Sequence, residues 1–258
     1  MTARPQVMLS HEDDRARITL SNPGRRNALT AEMYDDLEAH IDVLATNQNL
    51  RVLVIAGSEA DGFAAGTDIA EFADFASSDD GVRYERRVGR VLSKLDNLPV
   101  PTIAAVHGAA VGAGLAIAAM CDIIVADRSA RFGAPIVRTL GNCLPGPVVA
   151  RLRDRLGSAR AVSMLLTATL VPADELVASG FVFASVDEGE LDARVEAVVR
   201  GIRRSAPRSL AALKALDRRA GTADFHDEDL LRSCYGSDDF REGVRAFLEH
   251  RHPQWKGL

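Results

Sequence analysis

The chain has 258 residues, of which 47% are hydrophobic and 26% charged, and its formal net charge is -5 at pH 7. This length and composition are typical of a globular protein with a large core, built as one large domain or as a domain with an appendage. The negative balance removes the electrostatic basis for binding nucleic acid or an anionic membrane surface.

The predicted elements of the first half alternate between strands and helices. In chain order they are a strand at 17–20, a helix capped by Thr30, a strand at 52–56, a helix at 68–75, a helix at 82–95, a strand at 102–106, a helix ending near Cys121 and a strand at 122–126. The segments 52–56 and 102–106 are continuous apolar runs, which are typical of strands buried on both faces. The alternation therefore indicates an α/β layer structure with mostly parallel strands.

The second half becomes mainly helical from Ser158 onward. A helix begins at 205–207, and the segment 239–250 places Phe240, Val244 and Phe247 on one apolar face. We therefore expect a core at 1–200 and a helical region at 201–258, whose apolar face must be buried somewhere.

The three cysteines, Cys121, Cys143 and Cys234, form no C-x-x-C pair. An odd number without paired spacing argues against a disulfide framework or a structural zinc and favours a reducing compartment. The start of the chain is polar, and the apolar stretch 100–119 is interrupted by glycine, proline and histidine. We expect a cytoplasmic protein with no membrane span and no bound metal.

Three segments carry most of the functional information. They are Asn-Pro-Gly-Arg-Arg-Asn-Ala-Leu at 22–29, Phe-Ala-Ala-Gly-Thr-Asp-Ile at 63–69, and the glycine-rich stretch 105–114 with the strand 121–126 beyond it. In this order and spacing they resemble the crotonase (enoyl-CoA hydratase/isomerase) superfamily over almost the whole chain. The resemblance implies an α/β spiral of strand-strand-helix turns, a C-terminal helical oligomerisation region, and a homotrimer or a dimer of trimers.

The glycines Gly66 and Gly112 stand where a loop is expected to meet the start of a helix. Backbone N–H groups at such a point lack an intrahelical acceptor and favour negative charge. Two of them converging on one carbonyl would form an oxyanion hole. The resemblance places these donors at Thr67 and Ala113. The competing interpretations are a tight turn without a ligand and a dinucleotide site; Ile117, at the third position of the glycine fingerprint, argues against the latter.

The resemblance also implies that the ligand is an acyl-CoA thioester and that no cofactor is needed besides coenzyme A as part of the substrate. The arginines Arg25 and Arg26 are placed to meet phosphates, and Phe247 and Lys256 to reach the nucleotide end of CoA in a neighbouring subunit. The full set of implied substrate contacts is Arg25, Arg26, Ala28, Ala65, Asp68, Ile69, Ala70, Phe247 and Lys256.

Both positions that carry catalytic glutamates in the family's hydratases hold apolar residues here, namely Ala116 and Ile136. Between Asp127 and Asp154 the sequence contains no Asp or Glu, so a shifted alignment cannot restore a carboxylate. Addition of water is therefore doubtful. The sequence leaves open a decarboxylase, a thioesterase, an isomerase or a catalytically silent acyl-CoA-binding protein.

Several polar residues are candidates for proton transfer. Asn142 and Cys143 lie in the loop that faces the acyl group in relatives, although a lone cysteine among apolar residues is often a packed core thiol. The others are His107, Glu71 and Asp74, each with a structural or solvated alternative. Arg138 is instead a candidate for binding a substrate carboxylate, with a surface arginine as the alternative. The charged run 83–87 is interpreted as a solvated helix face.

Overall fold

A computed structural model describes residues 4–220 and 227–258. The strands are β1 (Gln6–Glu12), β2 (Arg15–Ser21), β3 (Val52–Gly57), β4 (Thr102–Val106), β5 (Ala109–Val111), β6 (Ile123–Asp127), β7 (Arg131–Gly133), β8 (Val171–Pro172) and β9 (Ala184–Val186). The helices are α1 (Ala31–Ala45), α2 (Ser78–Asp96), α3 (Ala113–Met120), α4 (Ile136–Thr139), α5 (Gly146–Leu156), α6 (Ser158–Thr167), α7 (Ala173–Val177), α8 (Leu191–Arg203), α9 (Pro207–Arg219), α10 (Glu228–Tyr235) and α11 (Asp238–Leu248).

The main sheet has the strand order β1-β2-β3-β4-β6-β9. All its neighbours pair in parallel except the β1–β2 hairpin at the edge. Every residue of β3 and β4 is buried, because helices cover both faces of these strands. The α/β class and the parallel pairing are confirmed.

The core has two parts, one on each face of the sheet. The larger part joins the inner face to α1, α2 and α3 and includes Leu37, Leu92 and Leu115. On the outer face, Val195 and Val199 of α8 pack against the strands. Since α8 crosses residue 200 while it packs on the sheet, the division at that residue stays a prediction.

The predicted helix at 68–75 is wrong. Only a short 3-10 helix, Ile69–Phe72, forms there, and none of its residues is buried. A longer helix here would have no buried apolar face, and tertiary packing of such a face is what stabilises most helices in proteins. By contrast, α2 begins four residues earlier than predicted, because Ser77 and Asp80 form a capping box at its start.

Three other elements escape the sequence analysis. The edge strand β1 has a single buried residue, Val7, and so lacks a clear alternation. Helix α5 (Gly146–Leu156) lies in a stretch to which the sequence analysis assigned no element, and its Val148 and Leu152 are in the core. The small sheet β5-β7-β8 is made of strands of two or three residues, which are too short to give a periodic signal.

The C-terminal region is attached to the sheet by buried ion pairs. The ammonium of Lys214, on α9, lies 2.8 Å from one carboxylate oxygen of Asp122, and the guanidinium of Arg218 lies 2.7 Å from the other. Asp122 also accepts hydrogen bonds from the backbone N–H and the hydroxyl of Thr102, at the start of β4. One carboxylate thus joins α9 to two central strands.

The apolar face predicted for the last helix is present and exposed. Phe240, Val244 and Phe247 of α11 are 43%, 47% and 81% exposed, respectively. Within the part of the chain that the structure describes, no helix is both long enough and apolar enough to cross a membrane.

We expect Asp122→Asn to lower the free energy of unfolding by about 3 kcal/mol while preserving the side chain's shape. It leaves the buried ammonium of Lys214 without its carboxylate, whereas Arg218 keeps Asp96 at 2.7 Å. Urea unfolding measures the change. The matched control is Asp42→Asn, which removes an exposed carboxylate 2.6 Å from Lys94, where water screens the pair. Equal destabilisation by both substitutions would contradict this account of how α9 is attached.

Candidate functional site

A cavity of about 400 Å³ lies between α2, the N-terminus of α3, the segment 65–69 and the loop from Pro135 to Val148. Its wall is mostly apolar and includes Val88, Leu92 and Val111. A concave, largely apolar pocket with a few polar groups is typical of a small-molecule site.

The first polar edge of the cavity is the segment around Gly66 and Thr67. Leu29 fixes it on one side, since its N–H donates to the Gly66 carbonyl and its own carbonyl accepts from Asp68, both at 2.8 Å. These two bonds flank Thr67, whose own N–H therefore points away from Leu29. Gly66 has a φ of +115°, a conformation that strongly favours glycine.

The second polar edge is the start of α3. The N–H of Gly112 donates to the Gly133 carbonyl at 2.9 Å, and the chain then enters the helix at Ala113. Gly112 has a φ of +55°, so glycine is again the favoured residue. Within residues 4–220 and 227–258, neither the N–H of Thr67 nor that of Ala113 has an acceptor within hydrogen-bonding distance.

The two edges are held together by an unusually close approach of backbones. A Cβ placed on Gly114 would lie 2.1 Å from the carbonyl oxygen of Ala64. Ala64 in turn pairs with the small sheet, since its carbonyl accepts from Val111 and its N–H donates to the carbonyl of Ala109. The segment before Thr67 and the segment at Ala113 are therefore fixed relative to each other.

A chain of three hydroxyls stands behind the first edge. The hydroxyl of Thr67 lies 2.7 Å from that of Tyr34 on α1 and 2.5 Å from that of Tyr84 on α2. Burial raises the pKa of both tyrosines, to the greatest extent for Tyr34. The two phenols therefore stay protonated and tie α1 and α2 to the segment that carries the Thr67 amide.

Comparison with known proteins identifies the family. The family model described as Enoyl-CoA hydratase/isomerase matches residues 12–258. The chain belongs to this family. Among similar proteins, a "Probable enoyl-CoA hydratase" of Bacillus subtilis is 31% identical and covers 94% of this chain and 95% of its own length. The mouse "Enoyl-CoA hydratase domain-containing protein 3, mitochondrial" is 32% identical over 98% of this chain and 85% of its own.

Superposition on solved structures identifies the fold. The crystal structure of an enoyl-CoA hydratase/carnithine racemase from Magnetospirillum magneticum superposes with a TM-score of 0.91 and 30% identity, covering 98% of this chain and 96% of the other. The crotonase fold expected from the three sequence segments is thereby confirmed.

Most of the residues that the family resemblance implies for the site do line the cavity. These are Arg25, Ala28, Ala65, Thr67, Asp68, Ile69, Ala113, Asn142 and Cys143. Cys143 is exposed to the cavity, so the alternative of a packed thiol is wrong for it; the cysteine that is buried is Cys121, and burial raises the pKa of its thiol to about 12.

Four of the implied contacts lie away from the cavity wall. Arg26 is exposed and its carbonyl accepts the N–H of Ala65. The N–H of Ala70 donates to the carboxylate of Asp68, which caps the 3-10 helix. Phe247 is exposed on α11, while the backbone of Lys256 is bound to Asp239 of the same region at 2.7 Å. Their contact with CoA stays a prediction.

The remaining candidates for proton transfer do not line the cavity, and neither does Arg138, the candidate for binding a substrate carboxylate. A ring nitrogen of His107 lies 3.2 Å from the Glu59 carbonyl, and Arg138 donates to the Thr167 carbonyl at 2.6 Å. Glu71 and Asp74, on and after the 3-10 helix, are also outside the wall. By contrast, both Ala116 and Ile136 line the cavity, so the positions of the family's glutamates present apolar atoms to it.

Two cavity residues, Tyr84 and Glu85, were missed because the run 83–87 was interpreted as solvated. The interpretation is wrong for both of them. Helical spacing carries the signal that could have found Glu85: it precedes Val88 by three residues and Leu92 by seven, and both are core residues of α2.

Metal ligation finds no support in this arrangement. Across the described residues, no group of three or more His, Cys, Asp or Glu side chains is placed to hold a metal ion.

Proposed function

We propose that the chain processes an acyl-CoA thioester whose carbonyl oxygen accepts hydrogen bonds from the N–H groups of Thr67 and Ala113. The observation that carries this proposal is that both amides border one apolar cavity and have no acceptor among the described residues. Donors fixed in advance around a developing oxyanion stabilise it strongly, and each contributes about 10²–10³ in rate.

The contacts that we propose for the CoA part of the ligand rest on charge and on family membership. Arg25 lies at the cavity rim, where its guanidinium suits a phosphate of CoA, and Arg26 is exposed beside it. We place Phe247 and Lys256 at the nucleotide end of CoA bound to a neighbouring subunit of a homotrimer or a dimer of trimers. No cofactor beyond the CoA of the substrate is required by this chemistry, and the three free cysteines favour the cytoplasm.

Hydration is not the reaction that we propose. Adding water to an enoyl thioester requires one group to deprotonate the water and one to protonate the α carbon. Ala116 is 3% exposed and, like Ile136, offers no titratable atom. The same observation keeps a catalytically silent acyl-CoA-binding protein as the second candidate, and turnover of any acyl-CoA separates it from a decarboxylase, a thioesterase or an isomerase.

The oxyanion assignment is tested with Ala113→Pro. Proline is well tolerated at the first position of a helix and removes only the N–H. We expect it to weaken binding of hexanoyl-CoA and to reduce the infrared shift of the bound thioester carbonyl, because only the Thr67 donor remains. The control is Ala113→Gly, which keeps the donor. A folded Ala113→Pro protein with unchanged affinity and an unchanged carbonyl shift would overturn the assignment.

Crotonyl-CoA is expected to be hydrated slowly or not at all, because two groups worth about 10²–10⁴ in rate each are missing. Loss of the enoyl-thioester absorbance measures the rate. The double substitution Ala116→Glu/Ile136→Glu is expected to raise that rate if it folds. A parent protein that turns over at an ordinary rate of about 1–10³ per second would refute the prediction whatever the double variant does.

The oligomer is tested by sedimentation equilibrium. Phe240, Val244 and Phe247 expose an apolar face that association would bury, so we expect the mass of a trimer or a hexamer at micromolar concentration. The triple substitution of these residues by Ser should shift the mass toward the monomer, whereas a parent protein that sediments as a monomer would contradict the proposal.

A further inference from the structure

Ala116 and Ile136 cannot transfer a proton, so an acid-base group of this site must come from another residue of the cavity wall, and carboxylates are the first candidates. Of the described residues, Asp68 and Glu85 are the acidic ones that line the cavity. Asp68 is engaged, since its carboxylate accepts the N–H of Ala70 at 3.1 Å and caps the 3-10 helix. Glu85 has no ion pair and no hydrogen bond to any described residue.

The position of Glu85 is fixed by its neighbours on α2. It shares one helix face with Val88 and Leu92, which line the same cavity and anchor that face in the core. The preceding residue, Tyr84, is bound to the hydroxyl of Thr67 at 2.5 Å. The helix turn that carries Glu85 is therefore tied directly to the segment whose amide we propose as an oxyanion donor.

The surroundings of Glu85 suit a base. Its side chain is half-buried, and burial raises its pKa above the ordinary value for a glutamate, which makes the carboxylate a better proton acceptor. Tyr84 cannot accept the proton, since burial raises the pKa of its phenol and keeps the phenol protonated. Glu85 is thus a polar residue of the cavity whose carboxylate has no hydrogen-bond or ion-pair partner among the described residues and lies beside apolar side chains.

We propose that Glu85 is the proton-transfer residue of this site, acting on the α carbon of the bound thioester; the inference rests on the proposed function. The carboxylate removes the α proton, and the electron pair of the C–H bond forms an enolate whose oxygen accepts from Thr67 and Ala113. The protonated Glu85 then gives the proton back.

A single carboxyl is sufficient for moving a double bond. In a β,γ-unsaturated thioester the enolate extends to the γ carbon. Delivery of the proton to that carbon moves the double bond into conjugation with the carbonyl and regenerates the carboxylate, with no water, oxidant or second acid consumed. The site therefore fits isomerisation of 3-enoyl-CoA substrates, in contrast to hydration, which needs two groups.

The test measures formation of the conjugated thioester from trans-3-hexenoyl-CoA by absorbance. We expect the parent protein to convert it and Glu85→Gln to slow the conversion by about 10²–10⁴-fold, because the amide preserves the shape but cannot accept the proton. The matched control is Glu71→Gln, which changes a nearby glutamate outside the cavity wall and should leave the rate at that of the parent.

Binding of hexanoyl-CoA separates the two proposals. Unchanged affinity and carbonyl shift in Glu85→Gln, together with the lost conversion, would support the role of Glu85. Conversion by Glu85→Gln at the parent's rate, or a parent protein that binds hexanoyl-CoA with a shifted carbonyl and yet converts no 3-hexenoyl-CoA, would overturn this inference alone. A parent protein that binds no acyl-CoA would overturn the proposed function and the inference with it.

Discussion

The whole site depends on one close approach of two backbones, where the first turn of α3 touches the loop that follows β3. At 2.1 Å from the Ala64 carbonyl oxygen, a Cβ on Gly114 could not be accommodated, so only glycine lets the two segments meet. This contact sets the separation between the Thr67 and Ala113 amides. The small sheet and the Leu29 hydrogen bonds then hold each segment in place, so that both donors stay fixed without contributions from flexible side chains.

In our proposal, the catalytic groups are redistributed on a fixed scaffold. The walls formed by α3 and α4 present Ala116 and Ile136 to the cavity, whereas the wall formed by α2 presents the carboxylate of Glu85. In our proposal the backbone donors of the family remain, and the proton acceptor comes from a different helix. Fold and oxyanion geometry are thus separable from the identity of the acid-base group.

Sequence alone predicts the parts of the fold where a strong local pattern agrees with the final packing. The apolar runs of β3 and β4 and the spacing of Leu37, Ile41 and Leu44 belong to this class. The 3-10 helix was predicted too long and β1 was missed because their sequences carry no such pattern. Helix α5 was left unassigned although Val148, Leu152 and Leu156 recur at helical spacing. Glu85 was missed for a different reason. Local spacing can place it on the helix face of Val88 and Leu92, but that this face borders a cavity depends on how α2 packs against α3 and the segment 135–148, which no local window contains.

The hydroxyl chain has a property that follows from counting protons. The Thr67 hydroxyl has a single hydrogen but two phenolic neighbours, Tyr34 and Tyr84, so it can donate to only one of them at a time and must accept from the other. When a bound molecule accepts a hydrogen bond from the Tyr84 hydroxyl, the phenol oxygen of Tyr84 accepts a hydrogen bond from Thr67. The Thr67 hydroxyl then accepts one from Tyr34. Such a molecule in the pocket then fixes the direction of a buried row of dipoles without moving a heavy atom. Tyr34, which is 2% exposed, becomes a spectroscopic reporter of an event beyond its own contacts.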